Sequence, residues 1–299
     1  MFATSFTDLE GKIAGGGALT RAEAERLLTA PDLISVGVLG EQARKVRSGD
    51  RVSYGRVAIV PPGKSPEVGE AGEVRLSGRV LSLDDGLTRV REAVKLAGDL
   101  PLTGFSLADL LEIAGSDHLA LAEISRALRA EGLEAVAEAP LDRLGDTENM
   151  IEVVRAVRHG GLGVWRATVD RAPTAADRLE LIERALAVQR ETSALRALAP
   201  LPRMDPPDAP STGYDDVRTI AAARAMCDSI PLIQVDWLIY GPKLAQVAIA
   251  YGADDIDAVP AVETVALGHR RSPREDIERQ IRAAVATPVE RDGRFGARA

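Results

Sequence analysis

The sequence predicts an α/β fold, a full or partial (β/α) TIM-type barrel. Segments of helical periodicity alternate with short β-branched and aliphatic runs along the chain, and parallel strands require crossover helices to join them. The 299 residues suffice for one large barrel or two medium domains, with ample surface to bury. No internal repeat or low-complexity tract interrupts the alternation. In such a barrel the ligand-binding loops gather at the C-terminal ends of the strands.

Thr20-Arg21-Ala22-Glu23 has the capping-box pattern of a helix start, with Ala24, Leu27 and Leu28 facing inward. A second helix is expected from Pro31 to Arg47, closed by Gly49-Asp50. Residues 51–60 read as a strand that stops at Pro61-Pro62-Gly63, and residues 63–78, rich in Gly and Glu, as a loop or short hairpin. Helical periodicity returns over 82–96, 106–114, 119–130 and 146–157, with strand candidates at 135–137 and 162–169. A helix over 174–192 precedes a strand over 194–201. Five prolines make 200–210 an irregular connection, and a helix then runs from Thr212 to about Asp228. A buried strand over 232–238 and a helix over 242–251 follow. The last helix starts near Ser272-Pro273-Arg274-Glu275, a second capping-box pattern.

Hydrophobic residues at 45% and charged residues at 27% are ordinary globular values, whereas aromatics at 3% imply an aliphatic core. A net charge of -8 argues against nucleic-acid binding, which needs Lys and Arg to neutralise phosphates, and against an acidic membrane surface. No apolar run is long enough to span a bilayer, and the first residues lack the basic and apolar regions of a secretory signal. One cysteine, Cys227, allows no intrachain disulfide. A cytoplasmic location is expected.

Asp254-Asp255 reads either as a paired carboxylate that binds a cation or works as acid and base, or as a turn that caps the next element. Lys243 follows Gly241-Pro242 in an expected first helical turn, where backbone N–H groups favour an anion; the alternative is a surface lysine. Asp236 and Trp237 end a strong strand, so one of them should face a barrel mouth, and a buried Asp there needs a partner or ligand. Trp237 reads as core packing or as a stacking platform. His118, His159 and His269 share no metal-ligand spacing. Gly15-Gly16-Gly17 lacks the context of a phosphate loop, and Cys227 reads as buried and inert.

Two long stretches carry a family likeness: Gly213 through Ala221, and Ile233-Gln234-Val235-Asp236-Trp237-Leu238-Ile239-Tyr240-Gly241-Pro242-Lys243 on to Tyr251-Gly252-Ala253-Asp254-Asp255. Thr287-Pro288-Val289-Glu290-Arg291-Asp292 and the lead-in pieces Leu27-Leu28, Leu33-Ile34 and Gly37-Val38-Leu39 extend it. In these the chain resembles the futalosine-pathway radical S-adenosylmethionine enzymes of menaquinone biosynthesis, aminofutalosine synthase and cyclic dehypoxanthine futalosine synthase. The family holds a [4Fe–4S] cluster on three closely spaced cysteines, because thiolates are the ligands cluster iron selects. Here Val60-Pro61-Pro62-Gly63-Lys64-Ser65-Pro66 stands in that place. Three further family segments are altered, at 99–103, 131–140 and 170–173.

The resemblance implies a partial barrel of the radical S-adenosylmethionine type with one βα unit lost or shortened. It implies a helical lead-in over 1–50, the barrel over 51–240 and a C-terminal helical extension over 241–299. Losses concentrated at the reactive rim imply a pseudoenzyme without an iron–sulfur cluster, and S-adenosylmethionine binding is not supported. Radical activity is not expected from a chain with one cysteine. The expected partner is a small-molecule ligand or an active paralogue, with a homo-oligomer open. Candidate ligand-binding residues are Asp236, Lys243, Gln246, Asp254 and Asp255, with Arg166, Asp170 and Glu138 at other strand ends. The alternative is a cluster-free enzyme that uses Glu138, Asp170 and Asp236 in acid–base chemistry on a nucleoside-like compound.

Overall fold

A computed structural model describes residues 6–204, 212–262 and 273–298. Helices α1 (Thr7–Ala14), α2 (Arg21–Thr29) and α3 (Leu33–Ser48) come first. The capping box at Thr20 and Glu23 is present, and α3 starts at Asp32, whose carboxylate accepts from Ile34 N and Ser35 N, rather than at Pro31. Strand β1 (Arg51–Val60) has the limits expected. Next come β2 (Glu73–Leu76), α4 (Leu83–Ala97), β3 (Leu102–Ser106), α5 (Leu107–Ile113), α6 (His118–Ala130), β4 (Ala135–Pro140) and α7 (Thr147–His159). The chain continues through β5 (Arg166–Val169), α8 (Ala175–Thr192), β6 (Ala197–Pro202), α9 (Gly213–Met226) and β7 (Leu232–Asp236). It ends with α10 (Trp237–Ala250), β8 (Asp255–Pro260), α11 (Pro273–Ala283) and β9 (Thr287–Arg291).

Strands β1 to β8 pair in sequence order, all parallel, and β8 and β2 both pair with β1, so the sheet closes into an eight-stranded barrel. β1 is long enough to hold two strands along one edge. β2 takes Val57 to Val60, and β9 takes Arg51 to Gly55. Gly293 N donates to Gly72 O where the two meet.

One unit is indeed shortened, but not where the sequence suggested. Residues 99–103 run into a true strand, β3, followed by α5. The reduced unit is the first: β1 passes to β2 through residues 61–72 with no helix, while every later crossover carries one. Two expectations need correction. Residues 63–78 contain the barrel strand β2 instead of a hairpin, and the barrel runs past residue 240, because β8 closes it. The proline-rich run keeps Pro200 and Pro202 inside β6, and its residues 205–210 lie outside the described residues, as do Ser272 and His269.

The lead-in helices dock on the outside, α3 against α9 and α2 against α8 and α9. Close approach there depends on Gly40, where a Cβ would run into the Tyr251 carbonyl oxygen. The core is aliphatic and Ala-rich, with Ala221, Ala222 and Ala223 of α9 fully buried. Among the described residues no helix is long and apolar enough to cross a membrane.

Candidate functional site

The barrel lumen is charged. Glu73 and Arg75 alternate with Val74 and Leu76 along β2, so the two charges share one face of the strand. Arg75 binds Glu73 through Nε and Nη2 at 2.8 and 2.9 Å, and Asp257 of β8 through Nη1 and Nη2 at 2.8 and 3.1 Å. Thr103 donates to Glu73 at 2.5 Å. Arg166 of β5 reaches Glu73 at 3.2 Å and the Ala137 carbonyl oxygen at 2.8 Å. From β9, Arg291 grips Asp255 at 2.6 and 2.8 Å and Asp257 at 2.9 Å. Ser53 and Gln234 complete Asp255 at 2.5 and 2.6 Å.

Three arginines therefore meet three carboxylates, all buried. Burial works to raise the Asp257 carboxyl, yet Arg166, Arg75 and Arg291 hold it well below the usual carboxylate range. Burial likewise opposes ionisation of Glu73, and Arg75 and Arg166 prevail over it. Phe295 seals this layer, with the Arg291 and Arg166 guanidinium carbons 4.4 and 5.5 Å from its ring centroid.

Above this floor, at the C-terminal ends of the strands, lies a cavity of about 420 Å³. Its walls mix apolar groups, among them Leu76, Phe105, Leu201 and Leu238, with polar ones. Tyr240 braces the wall by donating to the Leu201 and Pro202 carbonyl oxygens at 2.9 and 2.8 Å. Arg203 pairs with Glu138. Arg143 lies 3.5 Å from Asp109 and 3.6 Å from Asp170. Asp236 caps α10 by accepting from Ile239 N at 3.0 Å and has no ion pair among the described residues.

Two acids at this mouth are raised. Burial pushes the Asp236 carboxyl up and nearby Asp257 adds to it, against Arg75 and Arg203. Burial also raises Asp170, helped by Asp142 and opposed by Arg143. The Ser106 and Thr168 hydroxyl oxygens line the same cavity, are buried and have no hydrogen-bond partner among the described residues.

Of the residues singled out from sequence, Asp236, Glu138, Asp170 and Arg166 line this cavity. Asp254 and Asp255 do not. Asp255 belongs to the floor, and Asp254 is buried against Arg224 at 2.9 Å, Ser48 at 2.7 Å and Ile233 N at 2.6 Å. Burial raises its carboxyl against Arg224. Asp254 lines a smaller hollow of about 330 Å³ toward the opposite end of the barrel, where Arg51 and Phe295 also lie. Lys243 and Gln246 are exposed on α10, away from the cavity lining. α10 is two helices joined across Gly241, whose φ of 76° is non-helical, so Lys243 does lie in the first turn of the second one, as expected, but as an exposed side chain. Trp237 is core.

Sequence reasoning missed Ser106, Thr168, Arg75, Arg143 and Arg203. The available signal was position: each lies at or just after a strand's C-terminal half. Among the described residues no group of three or more metal-ligating side chains occurs. The residues do not fit a [4Fe–4S] cluster either. The segment after β1 offers no thiolate or imidazole. Cys227 is fully buried at the C-terminal end of α9, the end of that helix leading into the start of β7, and burial pushes its thiol up to about 12.

No family model matches the sequence. It is similar to a 5-amino-6-(D-ribitylamino)uracil–L-tyrosine 4-hydroxyphenyl transferase of Methanosarcina mazei, at 27% identity over 75% of this chain and 69% of the relative. A cyclic dehypoxanthine futalosine synthase of Streptomyces coelicolor is 24% identical over 94% of the chain and 86% of its own length. An aminodeoxyfutalosine synthase of Thermus thermophilus is 26% identical over 64% and 59%. Among solved structures, methylornithine synthase superposes with a TM-score of 0.63 at 13% identity, covering 94% of this chain and 97% of that one. A maturase of the [FeFe]-hydrogenase gives 0.65 at 12% identity over 97% and 76%; these two likenesses establish the barrel fold. The chain resembles the futalosine-pathway radical S-adenosylmethionine enzymes in sequence, as its residues led us to expect, and carries a single cysteine.

Proposed function

We propose that this protein is a cluster-free relative of the futalosine-pathway radical enzymes, and that it binds a small, polar, nucleoside-like intermediate in the mouth of its barrel. The observation that carries the reading is the cavity itself. About 420 Å³ of space stays open at the strand ends, where barrel enzymes bind their substrates. Below it the lumen is filled by paired charges, and beside it the first crossover has lost both its helix and its thiolates. A protein that served only as a partner to an active paralogue would need no such space.

Iron and sulfide content after anaerobic purification and reconstitution, with the visible spectrum, tests the first half. The expected protein is colourless and iron-free. A stoichiometric [4Fe–4S] spectrum would falsify the reading. Menaquinone biosynthesis enters through the similar futalosine-pathway synthases alone, and the similar tyrosine hydroxyphenyl transferase points to a different product. The pathway is best tested genetically, by asking whether deletion of the gene creates a menaquinone requirement.

A second reading rests on one observation: Glu138, Asp170 and Asp236 line the same cavity, and burial raises two of them. Carboxyls of that kind serve as general acids. In this reading the protein cleaves a nucleoside-like compound without a cluster. Release of free base from a nucleoside panel, abolished in Asp236→Asn and Asp170→Asn, would favour it over simple binding.

A further inference from the structure

We propose that the mouth cavity is built for a ligand carrying a cationic nitrogen, such as an ammonium group, which Asp236 and Asp170 neutralise. This inference deepens the proposal above and rests on the cavity being a ligand site. Its basis is a pairing of charges residue by residue. Arg75 is satisfied from below by Glu73 and Asp257, and Arg166 forms ion pairs with the same two carboxylates while its Nε stays without a hydrogen bond among the described residues. Arg79 turns outward to Glu112 at 2.6 Å. Arg203 is matched by Glu138. Arg143 must serve Asp109 and Asp170 together, at 3.5 and 3.6 Å, and Asp142 lies beside them, accepting hydrogen bonds from Asp170 N and Arg171 N at 2.8 and 3.0 Å. Asp236 has no cation within ion-pair distance among the described residues. Among the described residues every lining arginine therefore has a carboxylate in ion-pair distance, and the charge at the mouth without such a partner is the negative one of Asp236.

Carboxylates alone would not make a site. The independent observation is the hydroxyl pair. Ser106 and Thr168 are 7% and 3% exposed, line the cavity and have no hydrogen-bond partner among the described residues. Buried hydroxyls are ordinarily hydrogen-bonded, so their partners are to be sought in a ligand. The walls contributed by Leu76, Phe105, Leu201 and Leu238 suit an apolar or aromatic body attached to the charged group.

Three probes of similar size and different charge test this: 2-phenylethylamine, 2-phenylethanol and 3-phenylpropionate, titrated against the full chain by NMR at neutral pH. The amine should bind about tenfold more tightly than the alcohol, as charge-assisted hydrogen bonds exceed neutral ones, and the propionate more weakly than both. Asp236→Asn should erase the preference for the amine and leave alcohol binding unchanged. Arg143→Gln, which frees two carboxylates, should strengthen amine binding. That change in the opposite direction separates a local effect from misfolding. Equal affinity for amine and alcohol overturns the charge inference and leaves the cavity reading intact. Binding of none of the three overturns both. Amine binding that neither Asp236→Asn nor Asp170→Asn alters places the amine elsewhere and overturns the inference as well.

Discussion

The floor and the mouth of this barrel are made of the same two chemistries, guanidinium and carboxylate, and they do opposite things. On the floor Arg75, Arg166 and Arg291 meet Glu73, Asp255 and Asp257, every carboxylate is multiply hydrogen-bonded, and Phe295 closes the layer. At the mouth the same groups are loosely matched, two hydroxyls lack partners among the described residues and a cavity remains. A closed set of charges in a low-dielectric lumen rigidifies the structure. An open set leaves polar groups and space without such mutual constraint. Asp236 and Asp257 make the contrast sharpest, because they pair in register across β7 and β8 and shift in opposite directions.

The largest expected effect comes from breaking the floor. Arg291→Ala strips Asp255 of its only ion-pair partner and Asp257 of one of three among the described residues. Removing one partner of a buried ion pair costs about 3–5 kcal/mol, so the urea midpoint should fall sharply. If Arg291→Ala is as stable as the parent, the floor is not the structural layer described here.

The same kind of change at the mouth should do far less to stability. Asp236→Asn removes a charge that burial disfavours and keeps a side-chain oxygen to cap α10, so unfolding free energy should change by less than about 1 kcal/mol. Ligand recognition is where that substitution should be felt. A loss as large as that of the floor variant would erase the distinction between the two regions.

The pH dependence sharpens the pair further. Asp236 is raised above 3.8 in the fold, so the native state holds its proton longer than the unfolded chain. Its contribution to stability must then decline as pH rises from 3.8 through the folded value. Asp257 is lowered, so its contribution is present above 3.8 and is lost as pH falls through the folded value. Carboxyl titrations by NMR should place the two on opposite sides of the ordinary aspartate value. Denaturation across acidic pH should show a weaker decline toward neutrality in Asp236→Asn than in the parent.

The smallest effect should come from Cys227. With its thiol pushed up to about 12 and fully buried, it should react with a thiol reagent only after unfolding. Cys227→Ala should leave iron content unchanged. Rapid labelling of the native protein would contradict that placement.

Much of the fold was legible in the chain. The capping box at Thr20, the helix expected over 174–192 and the β-branched run of β1 follow from local chemistry, and they lie where the sequence puts them. β2 was not legible, and the reason is physical. Half of its residues are charged, and charge in a short segment ordinarily marks a loop. Only when Arg166, Asp257 and Thr103 arrive from three other strands does Glu-Val-Arg-Leu become an interior strand. The same cause hid β8, whose Asp254-Asp255 lead-in reads as a turn until Arg224 and Arg291 neutralise it.

The candidate site divides along the same line. Asp236, Glu138 and Asp170 could be chosen from sequence, because a carboxylate at a strand's C-terminal end points to barrel chemistry. Lys243, Gln246, Asp254 and Asp255 have suitable side chains but lie elsewhere, and Ser106 and Thr168 carry no mark that distinguishes them from other hydroxyls.

What the sequence determined by itself is the alternation of helix and strand, the likeness to the futalosine-pathway enzymes and the presence of a single cysteine, since each is a property of residue types in order. The tertiary structure alone decided which charges are spent on one another and which stay without an ion pair among the described residues. Pairing depends on distances between strands that are far apart in the chain, and only closure of the barrel brings those strands within reach of one another.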